Sequence, residues 1–138
     1  MHLLEKAIVL ATEAHAGQVD KAGLPYILHP LAVMLSVHTM DEKIVAVLHD
    51  TIEDTDLLTA DLITAGFSHE IIEAVMAISK QDGESYGDYL ERVKASPLAL
   101  SVKLSDIGHN MSRLTNLEPD HAGYLAKKYT RALKVLRS

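Results

Sequence analysis

The chain has no cysteine and no tryptophan, and its 138 residues include only one phenylalanine and four prolines. Without cysteine it can form no disulfide bond, no thiolate nucleophile and no thiolate metal site, and this fits a reducing compartment. Any metal ion must therefore bind histidine, carboxylate or carbonyl groups. The missing thiols restrict metal chemistry to nitrogen and oxygen ligands.

Long apolar runs are missing as well, since no continuous apolar stretch exceeds five residues, whereas a membrane span needs about 20. The first residues include Glu5 where a signal peptide would have a basic region before a long apolar run. We therefore expect a cytoplasmic protein that has no membrane partner.

Positive charge is scarce, because 13 Lys and Arg stand against 19 Asp and Glu and give a net charge of −6. A general nucleic-acid binder needs a basic face to neutralise phosphates, so no nucleic-acid partner is expected. This balance still permits a local basic pocket for a small anionic ligand.

Apolar residues make up 48% of the chain and recur mostly every three or four residues, which predicts an all-α fold. No repeat or linker divides the sequence, so we expect one compact domain over residues 1–138. Asp41 is the predicted cap of the third helix, and Gly66 is predicted to end the fourth. The predicted helices cover 3–16, about 30–39, 42–54, 59 or 61 to 65, 68–78, 86–94, a long helix from 97 that includes 114, and about 120–136.

The third predicted helix is apolar yet contains His49, Asp50, Glu53 and Asp54. A continuous helix would place His49 beside Glu53 and Asp50 beside Asp54, because residues four apart share one helix face. An isolated acidic pair would more often be a solvated helix end. The adjoining His-Asp pair in an apolar helix instead favours a cluster of ligand groups, because buried carboxylates are costly.

Two further segments carry candidate ligands. Asp106 lies in the long helix with Lys103 and Asn110 nearby, and a plain surface pair between Lys103 and Asp106 is the competing interpretation. His29 precedes a proline at a predicted helix entrance, where a cap or core role is the more common one. Taken together, two imidazoles and two carboxylates suit a divalent ion such as Mn, Fe, Co, Ni or Zn: His29, His49, Asp50 and Asp106.

These segments resemble the HD-domain metal-dependent phosphohydrolases. The resemblance is stronger to the hydrolase domain of the RelA/SpoT family and to the small alarmone hydrolases, which remove the 3′-diphosphate of (p)ppGpp. It spans most of the chain from Ala14 to about Leu117, and the combination is far more specific than an isolated His-Asp pair. The matching segments are AHAGQ at 14–18, KAGLPYILHP at 21–30, LHDTIEDT at 48–55, VKLSD at 102–106 and HNM at 109–111.

The resemblance implies a compact HD-type helical fold and a hydrolase that produces GDP or GTP and pyrophosphate from a nucleotide substrate. It implies that Asn110 contacts the nucleotide and that the ion is usually Mn²⁺, although another divalent transition metal would fit the same ligands. The implied metal ligands are His29, His49, Asp50 and Asp106, and the implied catalytic carboxylates are Glu53 and Asp54.

The sequence departs from the family pattern at positions that bear on the substrate. Asp20 stands where the family often has an arginine that stacks on guanine, while Lys21 remains available for a phosphate. Ile107 and Gly108 replace an Arg-Leu pair of the family. Arg113 lies on the helix face of Asp106, seven residues on, and offers a phosphate contact instead. The metal chemistry is therefore better supported than the alarmone substrate.

The last predicted helix has a basic, partly aromatic face around Lys128, and a solvated helix end explains that face equally well. The predicted substrate contacts are Lys21, Lys103, Asn110, Arg113 and Lys128. His109 is expected to support other groups rather than bind metal, because it points away from Asn110 around the helix.

Two alternatives to alarmone hydrolysis stay open. One is an HD phosphohydrolase that acts on another nucleotide or dinucleotide phosphate, and the other is a non-catalytic module that binds metal and nucleotide. Because the chain ends soon after the hydrolase motifs, no nucleotide synthetase activity is expected. The oligomeric state stays undetermined at this level.

Overall fold

The computed structural model describes all 138 residues, which form nine α-helices and one 3₁₀ turn. The only β-type pairing is an isolated bridge between Val19 and Pro25, so the all-α prediction is confirmed. The helices are α1 Leu3–Ala14, α2 Leu28–Ser36, α3 Met40–Leu48, α4 Thr51–Asp54, α5 Thr59–Ala65, α6 His69–Ile78, α7 Tyr86–Lys94, α8 Pro97–Ser112 and α9 Pro119–Leu136, and the 3₁₀ turn is Leu114–Asn116.

Helix ends with strong local signals lie where the sequence predicts them. The bounds of α7 match the prediction, and Ser68 caps α6 by accepting from the backbone N–H of Ile71. Gly66 ends α5 with φ of 92°, a left-handed conformation that glycine adopts without steric cost. α1 ends at Ala14, two residues earlier than predicted, and α2 runs from Leu28 to Ser36 instead of from its proline to about residue 39. α8 ends at Ser112, before Leu114, which was predicted to lie in that helix and instead begins the 3₁₀ turn.

The N-terminus of α3 differs from the prediction, because Thr39 and not Asp41 is its cap. The Thr39 hydroxyl accepts from the backbone N–H of Glu42 at 3.1 Å, and the Glu42 carboxylate accepts from the backbone N–H of Thr39 at 2.9 Å. This reciprocal pair is a capping box, which satisfies two amides that lack partners inside the helix.

The predicted continuous helix over 42–54 is wrong, because α3 ends at Leu48 and α4 is a separate turn. The His49 ring nitrogen Nδ1 donates to the carbonyl of Ala46 at 2.5 Å, and the Thr51 hydroxyl donates to the carbonyl of Leu48 at 2.7 Å. These side chains occupy carbonyls that a continuing helix would pair with backbone amides. His49 and Asp50 therefore lie at a junction and not on one regular helix face.

Helix α3 forms the centre of the apolar core, and every residue from Ile44 to Leu48 is buried. It packs against α1, α2, α6 and α8, while α9 packs across α7 and α8. This arrangement brings the start of α2, the end of α3 and the middle of α8 to one side of the core. No helix combines the length and the apolar character that crossing a membrane requires.

Candidate functional site

The four predicted metal ligands converge from three parts of the fold. His29 Nε2 lies 2.7 Å from Asp106 Oδ1, and His49 Nε2 lies 3.2 Å from that oxygen and 3.1 Å from Asp50 Oδ2. His29 Nε2 and Asp50 Oδ2 are 3.9 Å apart. Ligands about 2.1 Å from a shared ion lie roughly 3 Å from one another in octahedral geometry. The donor set thus fits a divalent ion.

The remaining imidazole nitrogens are fixed by neighbours. His49 Nδ1 donates to the carbonyl of Ala46, which leaves Nε2 facing the carboxylates. His29 Nδ1 lies 2.7 Å from His109 Nδ1, so His109 contacts a candidate ligand, as expected from the sequence. Such partners set the tautomer and the ring orientation of a metal-binding histidine.

Tyr26 is a site residue that the sequence reasoning missed. Its hydroxyl donates to Asp50 Oδ2 at 2.5 Å, and its ring packs 4.9 Å from the buried ring of His15. Burial and the charge of Asp50 both raise the pKa of Tyr26, so the hydroxyl keeps its proton and orients the carboxylate. The sequence signal that could have identified Tyr26 is its position, three residues before His29 in a segment that resembles the family.

Lys103 and Asp106 form a largely buried pair, so the interpretation as an exposed surface pair is wrong. Lys103 Nζ lies 3.1 Å from Asp106 Oδ2, and the two side chains are 15% and 7% exposed. Asn110 Nδ2 donates to Asp106 Oδ1 at 3.3 Å. The lysine consequently offsets the charge of a buried candidate ligand.

Electrostatics in the cluster favour charged carboxylates. Burial alone would raise the pKa of Asp106, but Lys103 and His49 outweigh burial and hold that pKa well below its usual range. Burial likewise acts to lower the pKa of His49, yet Asp50 and Asp106 raise it well above its usual value. Without a metal ion, the neighbouring carboxylates therefore favour the protonated form of the His49 imidazole.

A cavity of about 910 Å³ opens beside these ligands. All five tyrosines of the chain line it, and so do five basic residues. Lys128 is one of them, with its Nζ 4.8 Å from the centre of the Tyr86 ring, so this part of α9 faces the cavity. The five basic residues are Lys80, Lys103, Lys127, Lys128 and Arg131, and the tyrosines are Tyr26, Tyr86, Tyr89, Tyr124 and Tyr129.

The two predicted catalytic carboxylates occupy different positions. Glu53 lines the cavity, and its Oε1 accepts from the backbone N–H of Lys80 at 2.6 Å. Both residues are exposed as whole residues, but Asp54 is not among the cavity-lining residues and its carboxyl group is partly desolvated. Desolvation together with the charges of Asp50 and Glu53 raises the pKa of Asp54 to about 6.

A second cavity of about 310 Å³ adjoins the first and contains three of the predicted substrate contacts, Lys21, Asn110 and Arg113. Arg113 Nη2 donates to Asn110 Oδ1 at 2.7 Å, and its Nη1 lies 3.8 Å from Asp20 Oδ2. Lys21 Nζ lies 2.5 Å from His121 Nε2 on α9. The side chains of Asp20 and Arg113 therefore lie close together at the wall of this cavity.

Two departures from the family pattern have different structural consequences. Ile107 is fully buried in the apolar core and lines neither cavity, so it does not contact a ligand there. Asp20 accepts from the backbone N–H groups of Ala22 and Leu24 at 2.9 and 3.0 Å and so shapes the loop before α2.

Binding of a divalent metal ion to this cluster is expected to release a proton near pH 7, because a ligating imidazole must be neutral. The carboxylates raise the pKa of His49, so the proton is present before binding and must leave Nε2. Calorimetric titration with MnCl₂ in two buffers of different ionisation enthalpy measures this release. Apparent affinity should also rise with pH, whereas equal enthalpies in both buffers would contradict the prediction.

The family model described as HD domain matches residues 7–96 of the chain. Among curated proteins, the chain is 33% identical to a rice protein named putative GTP diphosphokinase RSH1, chloroplastic, over 99% of the chain and 17% of the relative. It is 31% identical to the Escherichia coli bifunctional (p)ppGpp synthase/hydrolase SpoT, over 91% of the chain and 20% of the relative. The chain thus spans about one fifth of the length of these relatives.

A Vibrio cholerae protein named guanosine-3′,5′-bis(diphosphate) 3′-pyrophosphohydrolase is 34% identical over 91% of the chain and 20% of its own length. Among solved structures, a metazoan ortholog of SpoT, described as hydrolysing ppGpp, superposes with a TM-score of 0.85. That match covers 100% of this chain and 87% of the other at 18% identity, so the likeness establishes the fold.

Proposed function

The chain belongs to the HD domain family, and from this premise we propose that it is a Mn²⁺-dependent hydrolase that removes the 3′-diphosphate of (p)ppGpp. The convergence of His29, His49, Asp50 and Asp106 beside a cavity rich in basic side chains carries the proposal. The pyrophosphohydrolase names of its relatives support the choice of substrate.

Hydrolysis joins the oxygen of a water molecule to phosphorus and breaks the bond between that phosphorus and the ribose 3′-oxygen. His29, His49, Asp50 and Asp106 would hold a divalent ion, which when bound would lower the pKa of that water and polarise a phosphoryl oxygen. Glu53 accepts a proton from the water at a carboxylate oxygen that the Lys80 N–H positions, and the leaving 3′-oxygen takes up a proton as it departs. Asp54, with its pKa raised to about 6, is the second candidate base.

The cavity walls match a polyphosphorylated nucleotide. The chain has a net charge of −6, yet five basic side chains face this one cavity and offset the charge of several phosphates. Tyrosine rings provide flat surfaces for a base or a ribose, and Asn110 lines both cavities. A nucleotide whose base and phosphates occupy the two cavities would contact Lys21, Lys103 and Lys128.

A second candidate substrate is another nucleotide or dinucleotide phosphate, and the pair between Asp20 and Arg113 favours it. These two side chains lie 3.8 Å apart at the wall of the smaller cavity. A carboxylate at position 20 cannot stack on guanine as a guanidinium does, whereas Arg113 offers paired donors to a phosphate. The family chemistry would stay the same and only the recognised nucleotide would change.

A panel of nucleotides incubated with the protein and Mn²⁺ tests the proposal. We expect (p)ppGpp to be converted to GDP or GTP with release of pyrophosphate, and chelation by EDTA to abolish this activity. Product identification by ion-exchange chromatography distinguishes the substrates. Release of phosphate from another nucleotide with (p)ppGpp intact supports the second candidate, and binding without any turnover supports a non-catalytic module.

A further inference from the structure

The C-terminal end of α6 is held by two side chains of α7. Arg92 Nη1 donates to the carbonyls of Met76 and Ala77 at 2.8 and 3.1 Å, and its Nη2 donates to the carbonyl of Ser79 at 2.9 Å. The Tyr89 hydroxyl donates to the intervening carbonyl of residue 78 at 2.6 Å. The last carbonyls of a helix lack partners within the helix, so α7 supplies them here.

The same guanidinium holds the far end of the loop that joins α6 to α7. Arg92 Nε and Nη2 donate to the two carboxylate oxygens of Glu84 at 3.0 and 2.8 Å. Glu84 also accepts from the backbone N–H of Gln81 at 3.1 Å, and hydrogen bonds from Arg92 and Gln81 lower the pKa of Glu84 to about 2. We call Arg92, Glu84 and the carbonyls of residues 76, 77 and 79 the Arg92 clamp.

The loop restrained by this clamp reaches the candidate active site through one hydrogen bond. The backbone N–H of Lys80, next to a carbonyl that Arg92 binds, donates to Glu53 Oε1 at 2.6 Å. No other hydrogen bond holds the Glu53 side chain, which lies on the single turn of α4. The position of this carboxylate therefore depends on where the clamp holds the loop.

We propose that Arg92 is a positioning residue for the hydrolysis, acting through the Lys80 amide on Glu53. This role rests on the proposed function, because it gives Glu53 a catalytic task. Arg92 does not line either cavity, so it acts without touching the substrate. Loosening the clamp lowers kcat more than it raises KM, because Lys80 also lines the cavity, while Mn²⁺ affinity stays near its wild-type value.

The test compares Arg92→Gln, the milder Arg92→Lys and Glu84→Gln with the wild type, and uses exposed Arg137→Gln as the control. We expect Arg92→Gln to lower kcat about 10- to 100-fold, since a small misplacement of a catalytic group has effects of this size. Arg92→Lys should recover part of that loss, because lysine keeps the charge but not the paired donors. Arg137→Gln should match the wild type.

Two readouts separate this role from a purely structural one. Hydrogen exchange of the Lys80 amide, followed by NMR in the metal-free protein, should accelerate in Arg92→Gln while the amides of α3 keep their protection. In the Glu53→Gln variant, adding Arg92→Gln should lower the single-turnover rate little further, because both substitutions remove the contribution of the Glu53 carboxylate to that rate.

The outcomes distinguish the two proposals. If the wild type is active and Arg92→Gln keeps the wild-type kcat, the positioning role alone is overturned. The same holds if Arg92→Gln lowers the rate by the same factor with and without Glu53→Gln. Unchanged exchange at Lys80 also overturns it, whatever the activity. If Arg92→Gln does not fold, Glu84→Gln and Arg92→Lys carry the same comparison. A wild type that hydrolyses no nucleotide overturns the proposed function and this role with it.

Discussion

The Asp106→Asn variant is expected to lose more than about 100-fold in kcat/KM and to bind Mn²⁺ at least 100-fold more weakly. Changes to groups that only support metal ligands cost about 10- to 100-fold, and Asp106 contacts both imidazoles directly, at 2.7 and 3.2 Å. Asparagine has the same shape but removes the charge that the ion requires. Calorimetric titration with MnCl₂ and steady-state kinetics measure the two losses.

The buried partner of Asp106 makes a matched control possible. Asp106→Asn leaves the Lys103 ammonium without its counter-charge, and breaking such a buried pair costs about 3 kcal/mol or more. The double variant Lys103→Met/Asp106→Asn removes both charges and should recover most of the unfolding free energy, measured by urea denaturation in EDTA. Activity should stay lost in the double variant. Wild-type Mn²⁺ affinity in either variant would contradict the assignment of Asp106 as a ligand.

The Glu53→Gln variant is expected to lower kcat by about 10²- to 10⁴-fold, the usual contribution of a general base. Mn²⁺ affinity should change little, because Glu53 makes none of the contacts that join His29, His49, Asp50 and Asp106. Glutamine keeps a side-chain oxygen that accepts from the Lys80 N–H, so the local geometry is preserved. Kinetics at saturating Mn²⁺ measure the effect.

Glu73→Gln is the control for this substitution, because Glu73 is 68% exposed on α6 and lines neither cavity. Asp54→Asn should have the smaller effect of the two carboxylate variants, since Glu53 lines the cavity and Asp54 does not. A Glu53→Gln/Asp54→Asn double variant with wild-type turnover would remove both residues from the mechanism.

Local rules account for the parts of the fold that the sequence predicted well. Caps such as Ser68, the left-handed Gly66 and the periodic apolar residues of α7 act within a few residues of chain, so they can be read from the sequence. The break after Leu48 could not be read in this way. Competition between side-chain and backbone donors for the last carbonyls of α3 decides it.

The candidate ligands were identified from the sequence because their types and spacing are unusual in apolar helices. Their supporting contacts were less accessible, and Tyr26 was missed because nothing in its spacing links it to Asp50, 24 residues away. The burial of Lys103, which rules out the competing interpretation as a surface pair, cannot be read from the sequence for a related reason. Its environment depends on Tyr89 of α7, with Lys103 Nζ 5.3 Å from that ring, and on other side chains brought together by folding.

By itself, the sequence determined the helical class and most helix ends, because these follow from residue type and short-range spacing, and it predicted four candidate metal ligands from their residue types and from the resemblance to a known family. Only the tertiary structure decided which helix surfaces meet. Helix packing places every tyrosine and five basic side chains around one cavity, and hydrogen bonds connect Arg92 through the Lys80 loop to Glu53. Contacts between residues far apart in the chain depend on how whole helices pack. No local pattern encodes that packing.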